Sequence, residues 1–336
     1  MTDDDVRNAR RLCFFAHYHP AAIVADYVLV YLRALAEAGF TVVVLSTADL
    51  PEAERVKLKA ACATLIEREN VGLDFGGWID AFRRFSPIEA ELLLLANDSV
   101  YGPLHDLGSF IDRLTAVPAD FYGAVESRET GPHLQSWFLL LRPTAYRSAA
   151  FADLMTNPVP ADMPKSEIIE RYELALMSRL NAAGLRHHAA YTPDFGGAIG
   201  RELAYNPAHL LWKSLVGRYG VPFLKIELLR DNPLQIGGVA GWRRLVSHHA
   251  PSQLPKIEAD LVARQARPTK RFGKRLSRLI HNDLIAYRPE LQWLVARDAV
   301  SGDRSDDGRR LWLFRRLARY GTAVRRSVRR VRDMIR

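Results

Sequence analysis

The chain has 336 residues, of which 48% are hydrophobic and 25% charged, with 21 glycines and 18 prolines. That composition excludes a collagen, a disulfide miniprotein and a wholly disordered chain, and the length suits one large α/β domain with appendages or two domains. The net charge of +9 is unevenly placed: residues 309–336 hold 11 arginines, no lysine and one acid, Asp333, so a tail at +10 follows a body at −1.

The N-terminal residues MTDDDVRNARR lack the apolar segment of a signal peptide, and no uncharged apolar run reaches the roughly 20 residues that span a bilayer. The two cysteines, Cys13 and Cys62, show neither metal-knuckle nor disulfide spacing, so a reducing cytoplasm is expected. From residue 12 onward, apolar runs alternate with helical periodicity, as parallel strands covered by helices do. Residues 12–17 (LCFFAH) read as a buried strand, 23–38 as a helix ended by Gly39, and 41–46 (TVVVLS) as a second strand. A polar helix at 52–63 and a short strand at 64–67 (TLIE) follow, then a helix through Arg84 and the most apolar strand, 91–96 (ELLLLA). This βαβαβαβ series predicts a right-handed, doubly wound parallel sheet whose ligands lie at the carboxyl ends of the strands. Beyond residue 104 the pattern predicts a helix near 107–115, strands near 121–125 and 136–142, a helix over 166–183 with Ser166 as its cap and Gly184 closing it, and a helix near 207–218. Residues 251–308 read as a helical, charged extension ending in the polar linker SGDRSDDG.

Three segments offer chemistry. Asn97-Asp98-Ser99 stands at the carboxyl end of the apolar strand, where a carboxylate is costly unless it is hydrated, hydrogen-bonded or bound to a cation. Short acidic clusters of this kind hold Mg²⁺ or Mn²⁺ against a diphosphate, because hard cations take oxygen ligands; the plain alternative is a turn with Asp98 as a helix cap. The loop RENVGLDFGGW offers Arg68, Asn70 and Asp74 as cation, amide and acceptor for a nucleotide sugar, with glycines that let backbone approach a ligand closely. Its candidate binding residues are Arg68, Asn70, Gly72, Asp74, Gly76 and Trp78; its spacing is neither a Walker loop nor a dinucleotide fingerprint. In the third segment Leu174, Met177 and Leu180 form a core stripe, and Glu170 and Glu173 lie one turn apart, as a base or as a solvated face. The pairs His17/His19, His187/His188 and His248/His249 come without a zinc motif, and no serine-hydrolase elbow occurs.

Taken in order from residue 12 to 235, the phrases CFFAHYHPAAIVADYVLVYLRAL, RENVGLDFGGWIDAF, LLLLANDSVYGPL, DFYGAVESRE, HLQSWFLLLRPTAY, YELALMSRLNAAG and PFLKIELLRDNP resemble the rhamnan synthesis F family of polysaccharide and lipopolysaccharide assembly. The resemblance implies a GT-A-like glycosyltransferase: a Rossmann-type, mostly parallel α/β sheet flanked by helices, spanning 1–250, with a nucleotide-sugar half at 12–104, an acceptor half at 105–250 and a helical C-terminal extension. It also implies that Asn97, Asp98 and Ser99 hold Mg²⁺ or Mn²⁺, with Asn97 standing where an Asp is usual. Glu173 falls near the acidic pair that supplies the base in inverting members, and Glu126, after another strand end, is the rival. The implied reaction carries a sugar from a nucleoside diphosphate sugar, dTDP-rhamnose being the natural candidate, to a lipid-linked glycan, with inversion.

Residues 309–336 fit that setting on their own terms. Leu313, Leu317, Tyr320, Val324, Val328, Val331 and Ile335 recur every three or four residues with arginines between them, the pattern of a basic amphipathic helix lying on anionic lipid. A peripheral enzyme on the cytoplasmic face of the plasma membrane is therefore expected. The alternative reading is a non-catalytic, membrane-associated assembly factor; no nucleic-acid partner is expected, since the body carries no net positive charge.

Overall fold

The structure, a computed structural model, describes residues 1–128, 131–193, 206–233, 236 and 238–265. A short helix, α1 (Asp3–Arg7), precedes the Rossmann-type half: β1 (Arg11–His17), α2 (Asp26–Glu37), β2 (Thr41–Ser46), α3 (Glu52–Ala61), β3 (Thr64–Glu67), α4 (Leu73–Phe85) and β4 (Leu92–Asn97). The four strands are parallel in the order β3-β2-β1-β4, with Phe14 opposite Val43 on one side and Leu95 on the other. Each element predicted for this half is present, with ends shifted by up to three residues.

The second half contains β5 (Val100–Tyr101), α5 (Leu107–Thr115), β6 (Phe121–Ser127), β7 (His133–Leu134), β8 (Phe138–Leu141), α6 (Pro143–Tyr146) and α7 (Ala149–Met155). It continues through α8 (Lys165–Ile168), a π-helical turn (Ile169–Leu174), α9 (Ala175–Ala182), β9 (His187–Tyr191), α10 (Pro207–Leu210), α11 (Trp212–Gly217) and β10 (Leu224–Lys225). Last come α12 (Ile226–Arg230), α13 (Trp242–His249) and α14 (Leu254–Gln265).

The sheet is mixed rather than wholly parallel. β8 inserts between β4 and β6, antiparallel to both, which leaves β6 parallel to β4, and β9 adds parallel to β6. The run Phe138–Leu141 is buried on both faces, so its apolar pattern carries no information about direction. β5 and β10 pair antiparallel in a separate two-stranded ribbon.

Successive residues of the parallel strands alternate between two core layers. Cys13, Phe15, Val42, Val44, Leu94 and Ala96 face one layer with α2, α5, α11 and α13, while Leu12, Phe14, Ala16, Val43, Leu45 and Leu95 face the other with α4, α7 and α9. Burial on both faces explains the unbroken apolar runs.

Two further expectations are corrected. The helix expected over 166–183 starts one residue earlier behind Pro164, with no Ser166 cap bond, and passes through the π turn before α9. The helix near 207–218 divides at Leu211. Past the boundary expected after residue 250, Ile257 and Leu261 of α14 lie in the same core layer as α2 and α5. The linker and the basic helix expected over 309–336 lie outside the described residues.

Candidate active site

The carboxyl edge of the sheet gathers two of the segments singled out above. At the end of β4, Asn97 Nδ2 donates to Asp74 Oδ2 (2.7 Å) at the start of α4, joining the strand-end motif to the glycine-rich loop. Asn97 Oδ1 accepts from both the backbone N–H (3.1 Å) and the hydroxyl (2.6 Å) of Ser99. Asp98 turns the other way, towards β1: its Oδ2 accepts from the Tyr18 N–H (3.0 Å), and its carbonyl accepts from the Tyr27 hydroxyl (2.8 Å). Burial raises the Asp98 carboxyl to about 7, with the Arg264 guanidinium and the Tyr18 N–H pulling it down. Burial likewise raises Asp74, offset in part by the Asn97 amide.

Two residues far along the chain complete the cluster. Lys225, on β10, lies opposite Val100 of β5, with Nζ 3.4 Å from Ser99 Oγ and 5.9 Å from the centre of the Trp137 ring. Burial lowers its pKa, while the neighbouring Glu173, Glu227 and Asp74 carboxylates oppose the shift. Glu173 sits in the π turn, and its Oε1 accepts from the Ser136 N–H (3.2 Å) and hydroxyl (2.8 Å), leaving Oε2 for another partner. π turns of this kind recur at functional sites because they displace one side chain from the helical register. Asp74, Ser99, Ser136, Glu173 and Lys225 are all partly exposed.

Other expected site residues take different places. Arg68 donates through Nε to Asp80 (2.9 Å) and through Nη2 to the Val71 carbonyl (2.9 Å), and so braces its own loop. Asn70 is exposed. Gly72 caps α4 at φ +77°, where an added Cβ would meet Val159 at 2.7 Å, and a Cβ on Gly76 would run into the Val71 carbonyl oxygen. These glycines admit a close approach of protein to protein. Trp78 is fully buried, edge-on to Phe75 with ring centres 4.9 Å apart, so its ring is core rather than a stacking surface. Glu126, on β6 two strands from β4, lies 3.5 Å from Arg128 and 3.6 Å from His187. Burial would raise it, but His187 and Arg128 hold it below the ordinary carboxylate value.

A resident Mg²⁺ or Mn²⁺ does not fit this donor set. The Asn97 oxygen is taken by both Ser99 donors, Asp98 commits one of its two carboxylate oxygens to the Tyr18 N–H, and among the described residues no group of three or more His, Cys, Asp and Glu side chains could hold a metal ion. A lysine ammonium already stands beside Ser99.

Behind this edge lies a buried network that the sequence did not announce. His19 Nδ1 accepts from the Ala21 N–H (3.1 Å), so its Nε2 carries the proton that Asp260 Oδ1 accepts (2.9 Å). Asp260 Oδ2 also accepts from Tyr101 (2.6 Å) and Arg264 (2.7 Å), and Arg264 in turn donates to the Tyr27 hydroxyl (2.9 Å). Next to it, burial, helped by the positive charge of Arg264, holds His17 down to about 4, with Nδ1 3.0 Å from Ser46 Oγ.

The sequence model of the rhamnan synthesis protein F family matches residues 42–241. The chain belongs to that family. A virulence protein of Vibrio anguillarum, VirA, is 30% identical to this family member over 206 residues, covering 52% of the chain and 64% of the relative. An uncharacterized protein of Sinorhizobium fredii, y4gN, is 27% identical over 183 residues, covering 53% of the chain and 47% of the relative. The chain thus spans less than two thirds of the curated relatives it matches. Among solved structures it is similar to the mannosyltransferase PcManGT of Pyrobaculum calidifontis in complex with GDP-Man and Mn²⁺ (11% identity, TM-score 0.40, 87% of this chain and 85% of that one). It is also similar to the glycosyltransferase GlyE of Streptococcus pneumoniae TIGR4 (14% identity, TM-score 0.39, 78% and 66%). No helix among the described residues is long and apolar enough to cross a membrane.

Proposed function

We propose that this rhamnan synthesis family member transfers a sugar from a nucleoside diphosphate sugar to a hydroxyl of a growing cell-surface polysaccharide. The observation that carries the reading is the meeting of Asp74, Ser99, Lys225 and Glu173 at the carboxyl edge of a Rossmann-type half, where such sheets bind ligands. In this reading the donor is dTDP-rhamnose, the acceptor is a lipid-linked glycan, and residues 309–336 hold the enzyme to anionic lipid on the cytoplasmic face.

Glu173 serves as the base. Ser136 fixes one carboxylate oxygen, and the other takes the acceptor's proton as the hydroxyl oxygen attacks the anomeric carbon. The bond from that carbon to the diphosphate breaks with its electron pair passing to the phosphate oxygen, and direct attack inverts the centre. Glu126 suits the role less well, because Arg128 and His187 stabilise its charge and weaken it as a proton acceptor.

The test is release of free nucleoside diphosphate from a panel of nucleoside diphosphate sugars, with Mg²⁺, Mn²⁺ or EDTA and a lipid-linked acceptor, beside Glu173→Gln. Release with one donor, lost in the variant, supports the reading. Silence with every donor together with no donor binding by calorimetry favours the non-catalytic assembly factor, which Asn97 at the usual aspartate position also favours.

A further inference from the structure

Lys225 has no place in the sequence motifs. It lies 126 residues after Ser99 and arrives there by the β5–β10 ribbon, in which Ile226 N–H also bonds to the Ser99 carbonyl (3.1 Å). Two backbone attachments and the Trp137 ring at 5.9 Å therefore fix an ammonium at the strand end, with part of its surface open. Asp74 and Glu173 lie close enough to interact with its charge, and Lys165, exposed at the start of α8, adds a second positive charge acting on both Asp74 and Lys225.

We propose that Lys225, rather than a bound divalent metal, is the cation of this site and receives the charge of the departing diphosphate. This rests on the transferase reading above. Three observations converge on it. The Asn97 side-chain oxygen accepts from both Ser99 donors and Asp98 gives one carboxylate oxygen to the Tyr18 N–H, and among the described residues no group of three acidic or His side chains gathers the oxygen ligands that Mg²⁺ takes. An ammonium 3.4 Å from Ser99 repels a divalent ion placed on the same atoms. A lysine is also a sufficient phosphate partner, acting as a compact charge with three donors. As the sugar–oxygen bond breaks, its electron pair settles on the diphosphate oxygen, and Lys225 hydrogen-bonds that oxygen while keeping its own proton. The acceptor's proton goes to Glu173.

Binding of inorganic pyrophosphate and of UDP, GDP and dTDP, measured by calorimetry on the full chain, tests this without relying on turnover. The wild-type protein is expected to bind one nucleoside diphosphate and pyrophosphate in EDTA, with affinities that Mg²⁺ or Mn²⁺ changes less than twofold. Lys225→Gln is expected to weaken both at least tenfold, with no rescue by metal, and melting curves of the variant verify its fold. Wild-type binding that appears only with a divalent ion overturns the assignment of Lys225 and leaves the transferase reading standing, and it does so whether or not the variant folds. Unchanged binding by a folded Lys225→Gln variant has the same meaning. No binding of any nucleoside diphosphate, with or without metal, removes the transferase reading and this proposal with it.

Discussion

Asp98 shows what the carboxyl edge costs the fold. Its carboxyl is raised by burial to about 7 in the folded chain, against 3.8 as its ordinary value. A raised folded value means that the stabilising state is the protonated one: the contribution is complete below about pH 4 and is lost as the pH rises through 7. In EDTA, Asp98→Asn should therefore match the wild type near pH 4 and exceed it by about 2–4 kcal/mol at pH 8, read from urea unfolding at each pH. Equal stabilities at pH 8 would show that the carboxylate is better solvated than its surroundings imply. The two glutamates differ in kind. Glu173→Gln should lower kcat by about 10²-fold or more while the melting temperature stays near that of the wild type. Glu126→Gln, which leaves Arg128 and His187 without their anion, should chiefly lower the melting temperature.

At the scale of elements, the loop before α4 is a packing device as much as a ligand device. Arg68, braced by Asp80, pins the Val71 carbonyl, and α4 begins at once with Gly76 against that same carbonyl. Gly76→Ala forces the helix and loop apart and should cost about 2–4 kcal/mol by denaturant unfolding, well above an ordinary glycine-to-alanine change. The RENVGLDFGG run was legible as a strand-to-helix junction, but its three glycines could not be divided between ligand and packing without knowing that Val159 lies over Gly72. The π turn at Ile169–Leu174 was illegible for a related reason: its sequence has ordinary helical periodicity, and only the hydrogen bonds around it shift the register that presents Glu173.

For the molecule as a whole, α14 closes the Rossmann half from the far end of the described chain. Asp260 is buried, and His19, Arg264 and Tyr101 together offset the desolvation that would raise its carboxyl. Its folded value lies below the ordinary one, so this contribution is present at neutral pH and is lost as the pH falls through the folded value. Asp260→Ala leaves three buried donors unmatched and should destabilise the protein by about 3–5 kcal/mol at pH 7, seen as a lower urea midpoint. Because Arg264 also holds Tyr27, which holds the Asp98 carbonyl, the same variant should weaken nucleoside diphosphate binding.

The sequence by itself determined the βαβαβαβ half and the edge at which the site lies, because buried parallel strands need unbroken apolar runs and their helices need 3.6-residue periodicity. It also carried the family, through the phrases around Asp74 and Asn97. Only the tertiary structure decided the direction of β8, whose four buried apolar residues pair equally well either way, and the pairing of β9, whose two histidines disguise a strand. Only tertiary structure, too, brought Lys225 to Ser99 and Asp260 to His19. Periodicity records which face of an element is buried, whereas a contact between residues 126 or 241 positions apart depends on how whole elements pack, and no local pattern encodes that.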